Sequence, residues 1–143
     1  MRRQHSGELR EGIGPAWPER RESHAARRAI VAPVAWVDSG NQLVAFERMD
    51  GADLVTISMA KDKAFSALVN HMPTSELGPL VQPGTEFYGY DSLAGGRMIV
   101  FGGRLPIEIG GVLVGAVGVS GGSSKQDEAC ARAGLAMWEL AVS

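Results

Sequence analysis

A single cysteine, Cys130, leaves the chain without an internal disulfide framework and without any cysteine-based zinc or iron–sulfur site. There is no Cys-x-x-Cys-His run, so covalent haem attachment is excluded as well. The three histidines, His5, His24 and His71, include no pair at metal-ligand spacing, and no metal site is expected. No apolar run approaches the ~18 residues of a membrane span, and the first thirty residues hold no apolar signal core. A formal net charge of −2 offers no basic face for releasing counterions from nucleic acid. These absences lead us to expect a cytoplasmic protein with neither membrane nor nucleic acid among its partners. What is abundant is glycine, 19 of 143 residues, against a usual share of ~7%. A composition 45% hydrophobic and 21% charged is that of a globular chain, and 143 residues fill one domain with its own core.

Charge divides the chain. Residues 1–30 carry seven arginines and four glutamates, whereas residues 31–143 carry seven basic and twelve acidic side chains. The first stretch contains Gly7, Gly12, Gly14, Pro15 and Pro18 and no sustained periodicity. These breakers mark residues 1–22 as a mobile arm ahead of a domain over 23–143. Across that boundary Glu22–Ala29 can form a short helix running into the first strand.

Val31–Val37 and Gln42–Glu47 read as strands joined by the turn cluster Asp38-Ser39-Gly40-Asn41. Leu54–His71 places Leu54, Ile57, Ala60, Ala64 and Leu68 at helical spacing, with Asp53 as N-cap and Pro73 as the stop. Thr74 or Ser75 opens a second short helix to Val81, and Gln82–Arg97 is a loop long enough to suggest a function. Met98–Phe101, Leu105–Ile109 and Val112–Val119 complete the strands, the last two joined by a Gly110-Gly111 hairpin turn. Lys125–Val142 is the final helix, with Ser124 and Asp127 as a capping pair. Hairpins force antiparallel pairing. The expected domain is therefore α+β, a five-stranded antiparallel sheet flanked by helices.

Several blocks, in order from Val31 to the C-terminus, resemble the GlcG/HbpS-like family. They are Val37–Gly40 (VDSG), Phe46–Ala52 (FERMDGA), Ala60–Ala64 (AKDKA), Met72–Thr74 (MPT), Phe101–Ile107 (FGGRLPI) and Gly115–Gly122 (GAVGVSGG), followed by Asp127-Glu128. Before Val31 an arginine-rich segment stands where the family has an apolar helix and a longer first strand. The resemblance implies a profilin-like fold and homo-oligomers. For some relatives it implies haem binding, as haem and iron sensors or as the C-terminal domain of corrinoid adenosyltransferases. Others are associated with catabolic pathways without an assigned reaction.

Gly118-Val119-Ser120-Gly121-Gly122 matches a nucleophile elbow. All three histidines precede the serine, however, and the sheet is expected to be antiparallel, so the glycines read as packing and exit from a strand. The same segment opens a helix whose free N–H groups suit an anion, although no Gly-Lys-Ser/Thr run makes it a P-loop. His71, at a helix end, is the candidate titratable ring, balanced against a plain dipole-capping role. Tyr88 and Tyr90 are loop aromatics that pack more often than they ligate, and Cys130 reads as a small core residue. Arg48 and Lys63 belong to the densest charged cluster, and a buried, paired Lys63 is expected to face Asp50 or Asp38 if its role is structural. The expected ligand pocket lies where Gly102, Gly103, Ser120, Gly121 and the His71 end of the long helix converge. A side chain at Gly103 is expected to block the pocket and spare the fold. The leading expectation is a homo-oligomeric small-molecule binding protein with haem or a related tetrapyrrole as ligand. The alternative is an enzyme or accessory subunit acting on a small organic acid, with Arg48, Lys63 or the Ser120 turn holding its carboxylate. No catalytic base stands out, and whether the protein is an enzyme stays open.

Overall fold

The computed structural model describes residues 30–142. Its strands are β1 (Pro33–Asp38), β2 (Leu43–Arg48), β3 (Arg104–Ile109) and β4 (Val112–Val119); its main helices are α1 (Leu54–Asn70), α2 (Thr74–Leu77) and α3 (Ser124–Val142), with short helical turns at Tyr90–Ser92 and Leu93–Gly96. The expected arm over 1–22, the Glu22–Ala29 helix, His5 and His24 lie outside the described residues. Turn chemistry sets both hairpins. Asp38 Oδ1 accepts the N–H groups of Gly40 and Gln42, each at 2.9 Å, which closes the β1–β2 turn. Gly110 and Gly111 take φ of 56° and 77°, the two positive values that a twisted two-residue β3–β4 turn requires.

Every pairing is antiparallel and the strand order is β2-β1-β4-β3. Among the described residues the sheet thus has four strands, and Met98–Phe101 is not the fifth. The reason is local. The Ile99 N–H donates to Ser66 Oγ at 2.8 Å, and the Ile99 carbonyl accepts from Arg104 Nη1. Side chains have taken the two groups that a ladder would need. The helix expected to run to Val81 is α2 followed by a 3₁₀ turn at Gly78–Val81, where Pro79 supplies no N–H.

Strand alternation sends alternate side chains to two unequal layers. Val34, Trp36, Leu105, Ile107, Val117 and Val119 pack with Cys130, Ala131 and Trp138 of α3. Ala35, Val37 and Ala116 pack with Ala60, Ala64, Ala67 and Leu68 of α1. The alanine face lets α1 lie almost on the sheet. A Cβ built on Gly118 would stand 2.1 Å from the Ala60 carbonyl oxygen and 2.5 Å from the Ala64 nitrogen. The long Gln82–Arg97 loop is fixed to α1 at two points. The Tyr90 hydroxyl donates to Asn70 Oδ1 at 2.5 Å. Arg97 pairs with Asp62 at 2.9 Å and stacks 4.1 Å from the centre of the Phe65 ring. Among the described residues no helix is long and apolar enough to cross a membrane.

Candidate functional site

Lys63 follows Ala60 by three residues and precedes Ala67 by four, so helical spacing puts it on the face that α1 presses against the sheet. A lysine there needs partners. Its Nζ donates to the Val119 carbonyl and to Asp127 Oδ2, both at 2.8 Å, and the two side chains are 1% and 2% exposed. The expected partner, Asp50 or Asp38, is therefore replaced by a carboxylate from the last helix. Asp127 is also not the capping acid expected beside Ser124. The reciprocal cap is made by Ser123 and Gln126, whose backbone N–H groups donate to each other's side chains at 2.9 and 3.3 Å. Asp127 Oδ1 accepts the Gly122 N–H at 2.8 Å instead. The Phe101 ring lies over the ammonium, 5.2 Å from Nζ to its centre. Burial pushes the Lys63 ammonium below its ordinary value; Asp127 opposes this by hydrogen bond and charge, and Arg104 adds to it.

The glycines expected to admit a ligand are filled against by protein. A Cβ on Gly103, whose φ is 113°, would meet the Val119 oxygen at 2.5 Å, Asp127 Cβ at 2.6 Å and Lys63 Nζ at 2.9 Å. One on Gly102 would meet the Ser124 oxygen at 2.7 Å. A side chain at Gly103 thus strains the fold, contrary to the expectation that it would be spared. Ser120 is buried and its N–H reaches the Pro33 carbonyl at 3.3 Å; Gly121 is exposed, and its missing side chain makes room for Val31 and Ala32. Arg48 is exposed at the end of β2, paired with Pro33.

Lys63, Gly102, Gly103, Ser120 and Gly121 are therefore gathered around the end of β4, with Arg48 on the outer strand at that end of the sheet. His71 is not brought to them. It follows Lys63 by eight residues, ~12 Å of helix, and closes α1 in the left-handed conformation (φ 55°), its N–H bonded to the Ala67 carbonyl at 2.9 Å. Its side chain is exposed.

The residue that joins the two places is Arg104, 0% exposed at the start of β3 and paired opposite Gly118. Its Nη1 donates to the Ile99 carbonyl, while Nε and Nη2 have no hydrogen-bond partner among the described residues. Burial lowers its pKa to about 10, and Tyr90 opposes the shift. Sequence reasoning quotes Arg104 inside a motif and assigns it no role. Arg104 directly precedes the core residue Leu105 and follows the tightly packed Gly102-Gly103. Among the described residues no group of three or more His, Cys, Asp or Glu side chains is placed to hold a metal ion.

Comparison with known proteins adds the following. The family described as "Haem degrading protein HbpS-like" matches residues 19–136. The corrinoid adenosyltransferase PduO of Salmonella typhimurium is 37% identical over 112 residues, 78% of this chain, which spans about a third (33%) of that protein's length. The crystal structure of Klebsiella pneumoniae protein ORFY superposes with a TM-score of 0.84 at 30% identity, covering 94% of this chain and 89% of that one. A structure described as a PduOC:heme complex superposes with a TM-score of 0.78 at 30% identity, covering 94% and 91%.

Proposed function

Because the chain belongs to the HbpS-like family, we propose that it is a small-molecule binding protein whose ligand is haem or a related tetrapyrrole. The observation that carries this reading is the 30% identity, over 94% of the chain, to a domain solved as a heme complex. The adenosyltransferase reaction is not carried over, since the likeness covers 33% of that enzyme.

The donor set fits a flat iron macrocycle. His71 presents an exposed imidazole with no hydrogen bond to protein among the described residues, beside Asn70, which holds Tyr90. The same loop exposes Phe87, Tyr88 and Leu93 by 48%, 68% and 52%. An imidazole at the end of α1 and exposed apolar side chains on a loop tied to Asn70 are the two kinds of group that haem requires. In this reading His71 holds the iron and the loop aromatics cover the ring. Bound haem would supply a redox-active iron, and the protein's part is to bind and orient it.

Self-association belongs to the same proposal. The open sheet leaves β2 and β3 at its edges, and Leu54 and Val55 at the start of α1 are 78% and 62% exposed. Sedimentation should give a homo-oligomer at micromolar concentration. A second reading, a subunit acting on a small organic acid, is favoured by the unpartnered edge of Arg104.

Titration of the protein with hemin tests the first reading. The expected result is a saturable shift of the strong absorption band away from that of free hemin. His71→Ala should alter that spectrum. A spectrum that stays that of free hemin would overturn the haem reading.

A further inference from the structure

We infer that Arg104 is the anchoring point for a ligand carboxylate, received on the Nε–Nη2 edge of its guanidinium. The proposal deepens the haem reading in one of its two forms and stands without it in the other.

A guanidinium offers its donors in a rigid fork. In Arg104 one nitrogen, Nη1, is already committed to the Ile99 carbonyl. The two left over, Nε and Nη2, are adjacent on one edge, and neither has a partner among the described residues. Their N–H bonds run parallel, the arrangement that takes both oxygens of one carboxylate at once. A surface arginine would meet this demand with water, but Arg104 is 0% exposed. An arginine also keeps its proton at neutral pH even when burial has lowered its pKa to about 10. Burying a charge with two donors unmet is costly, and the cost disappears when an anion arrives.

The surrounding charges specify that anion. Lys63 lies near enough to Arg104 to feel its charge, and Asp127 is bonded to Lys63. The cluster has two cations and one carboxylate, so it retains one positive charge. A monoanion balances it; a phosphate dianion does not. A planar carboxylate matches both the charge and the two-pronged edge. Tyr90 sits close enough to act on Arg104, from a loop held by its hydroxyl bond to Asn70. The Met98–Gly103 segment has no regular secondary structure. Of the two, the Tyr90 loop can move without breaking a sheet bond, whereas the Gly103 carbonyl accepts the Val119 N–H of β4 at 2.6 Å.

The carboxylate can come from a free organic acid or from a side chain of a tetrapyrrole, and the test separates these sources. The full chain is titrated with acetate and with glycolate against sodium chloride at equal ionic strength, reading the melting temperature. It is also titrated with hemin and with hemin dimethyl ester, whose carboxylates are blocked, reading absorption. A melting-temperature rise with either acid beyond chloride, with affinity reduced at least tenfold in Arg104→Lys, assigns the edge to a free acid. Arg104→Lys keeps the charge and removes the fork. No response to the acids, but hemin bound at least tenfold more tightly than its ester and a gap that Arg104→Lys closes, assigns it to the tetrapyrrole. No response to the acids together with equal affinity for hemin and its ester overturns the proposal. So does an acid or hemin response that Arg104→Lys leaves unchanged. If hemin does not bind, the haem reading falls and the acid titrations alone decide this one. The wild-type comparisons need no variant, so they hold even where Arg104→Lys fails to fold.

Discussion

Lys63 and Asp127, 64 residues apart in sequence, meet at 2.8 Å with almost no access to water. The pair ties α1 to α3 across the end of β4, and neither helix has another ion pair with the other among the described residues. A buried pair of this kind is costly to break and cheap to replace as a whole. Lys63→Met alone should destabilise the fold by about 3–5 kcal/mol, because Asp127 then stays buried without its cation. The double variant Lys63→Met/Asp127→Leu should recover most of that loss. Urea denaturation of the three proteins checks this. Equal losses in the single and double variants would show that the pair itself is a net source of stability.

Gly118→Ala should be more harmful than any exposed glycine substitution. Its methyl group would press on the α1 backbone at Ala60 and Ala64, where no side chain can rotate away. A loss of at least ~3 kcal/mol is expected, at the upper end of overpacking effects. Gly51→Ala, with open space around it, is the control and pays only for its positive φ, about 1–2 kcal/mol. The ordering of the two melting temperatures is the measurement.

The sign of the pH dependence follows from Arg104. Its pKa in the folded protein is about 10, below the ordinary 12.5. Between those values the unfolded chain binds more protons, so this group makes stability rise with pH. At neutral pH its charge opposes folding, and the opposition is relieved as pH climbs through 10. Relative to Arg104→Met, the wild type should gain about 1 kcal/mol between ~pH 8 and ~pH 11. Lys63, also lowered, is present in both proteins, and loss of the Arg104 charge relieves only the last of the causes that lower it. A wild type that loses ground to the variant over that range would contradict the burial of a charged guanidinium.

His71→Gly separates structure from function. A non-glycine residue in the left-handed conformation carries about 1 kcal/mol of strain, and His71 adopts it at φ 55°. Glycine should therefore raise the melting temperature by a few degrees. The same change should abolish the shifted hemin spectrum. Stabilisation with an unchanged spectrum would leave His71 as a helix terminator and nothing more.

Local chemistry made much of the fold legible. The Asp38–Gln42 turn, the paired glycines at 110 and 111 and the 54–70 periodicity each act within a few residues, and each appears where the sequence places it. Three features depend on distant partners and were not legible in the same way. Met98–Phe101 has strand-like composition, yet Ser66 and Arg104 capture the backbone of Ile99. Asp127 stands at capping distance from Ser124 in sequence, yet a lysine on another helix claims it. Glycines at 102 and 103 signal close approach correctly, but the approaching atoms belong to Ser124, Asp127 and Lys63. Composition and spacing thus point to the residues around β4, while the burial of Arg104 depends on α1 and on the Met98–Gly103 segment folding over it.

The Lys63–Asp127 bond also bears on the order in which the protein can be made. During synthesis α1 leaves the ribosome long before α3, and β1 waits for β4, its neighbour on one side. Until residue 127 emerges, the alanine face of α1 cannot close on the sheet without enclosing an ammonium that has no counter-charge. By delivering the missing carboxylate, the last helix couples its own docking to the docking of α1.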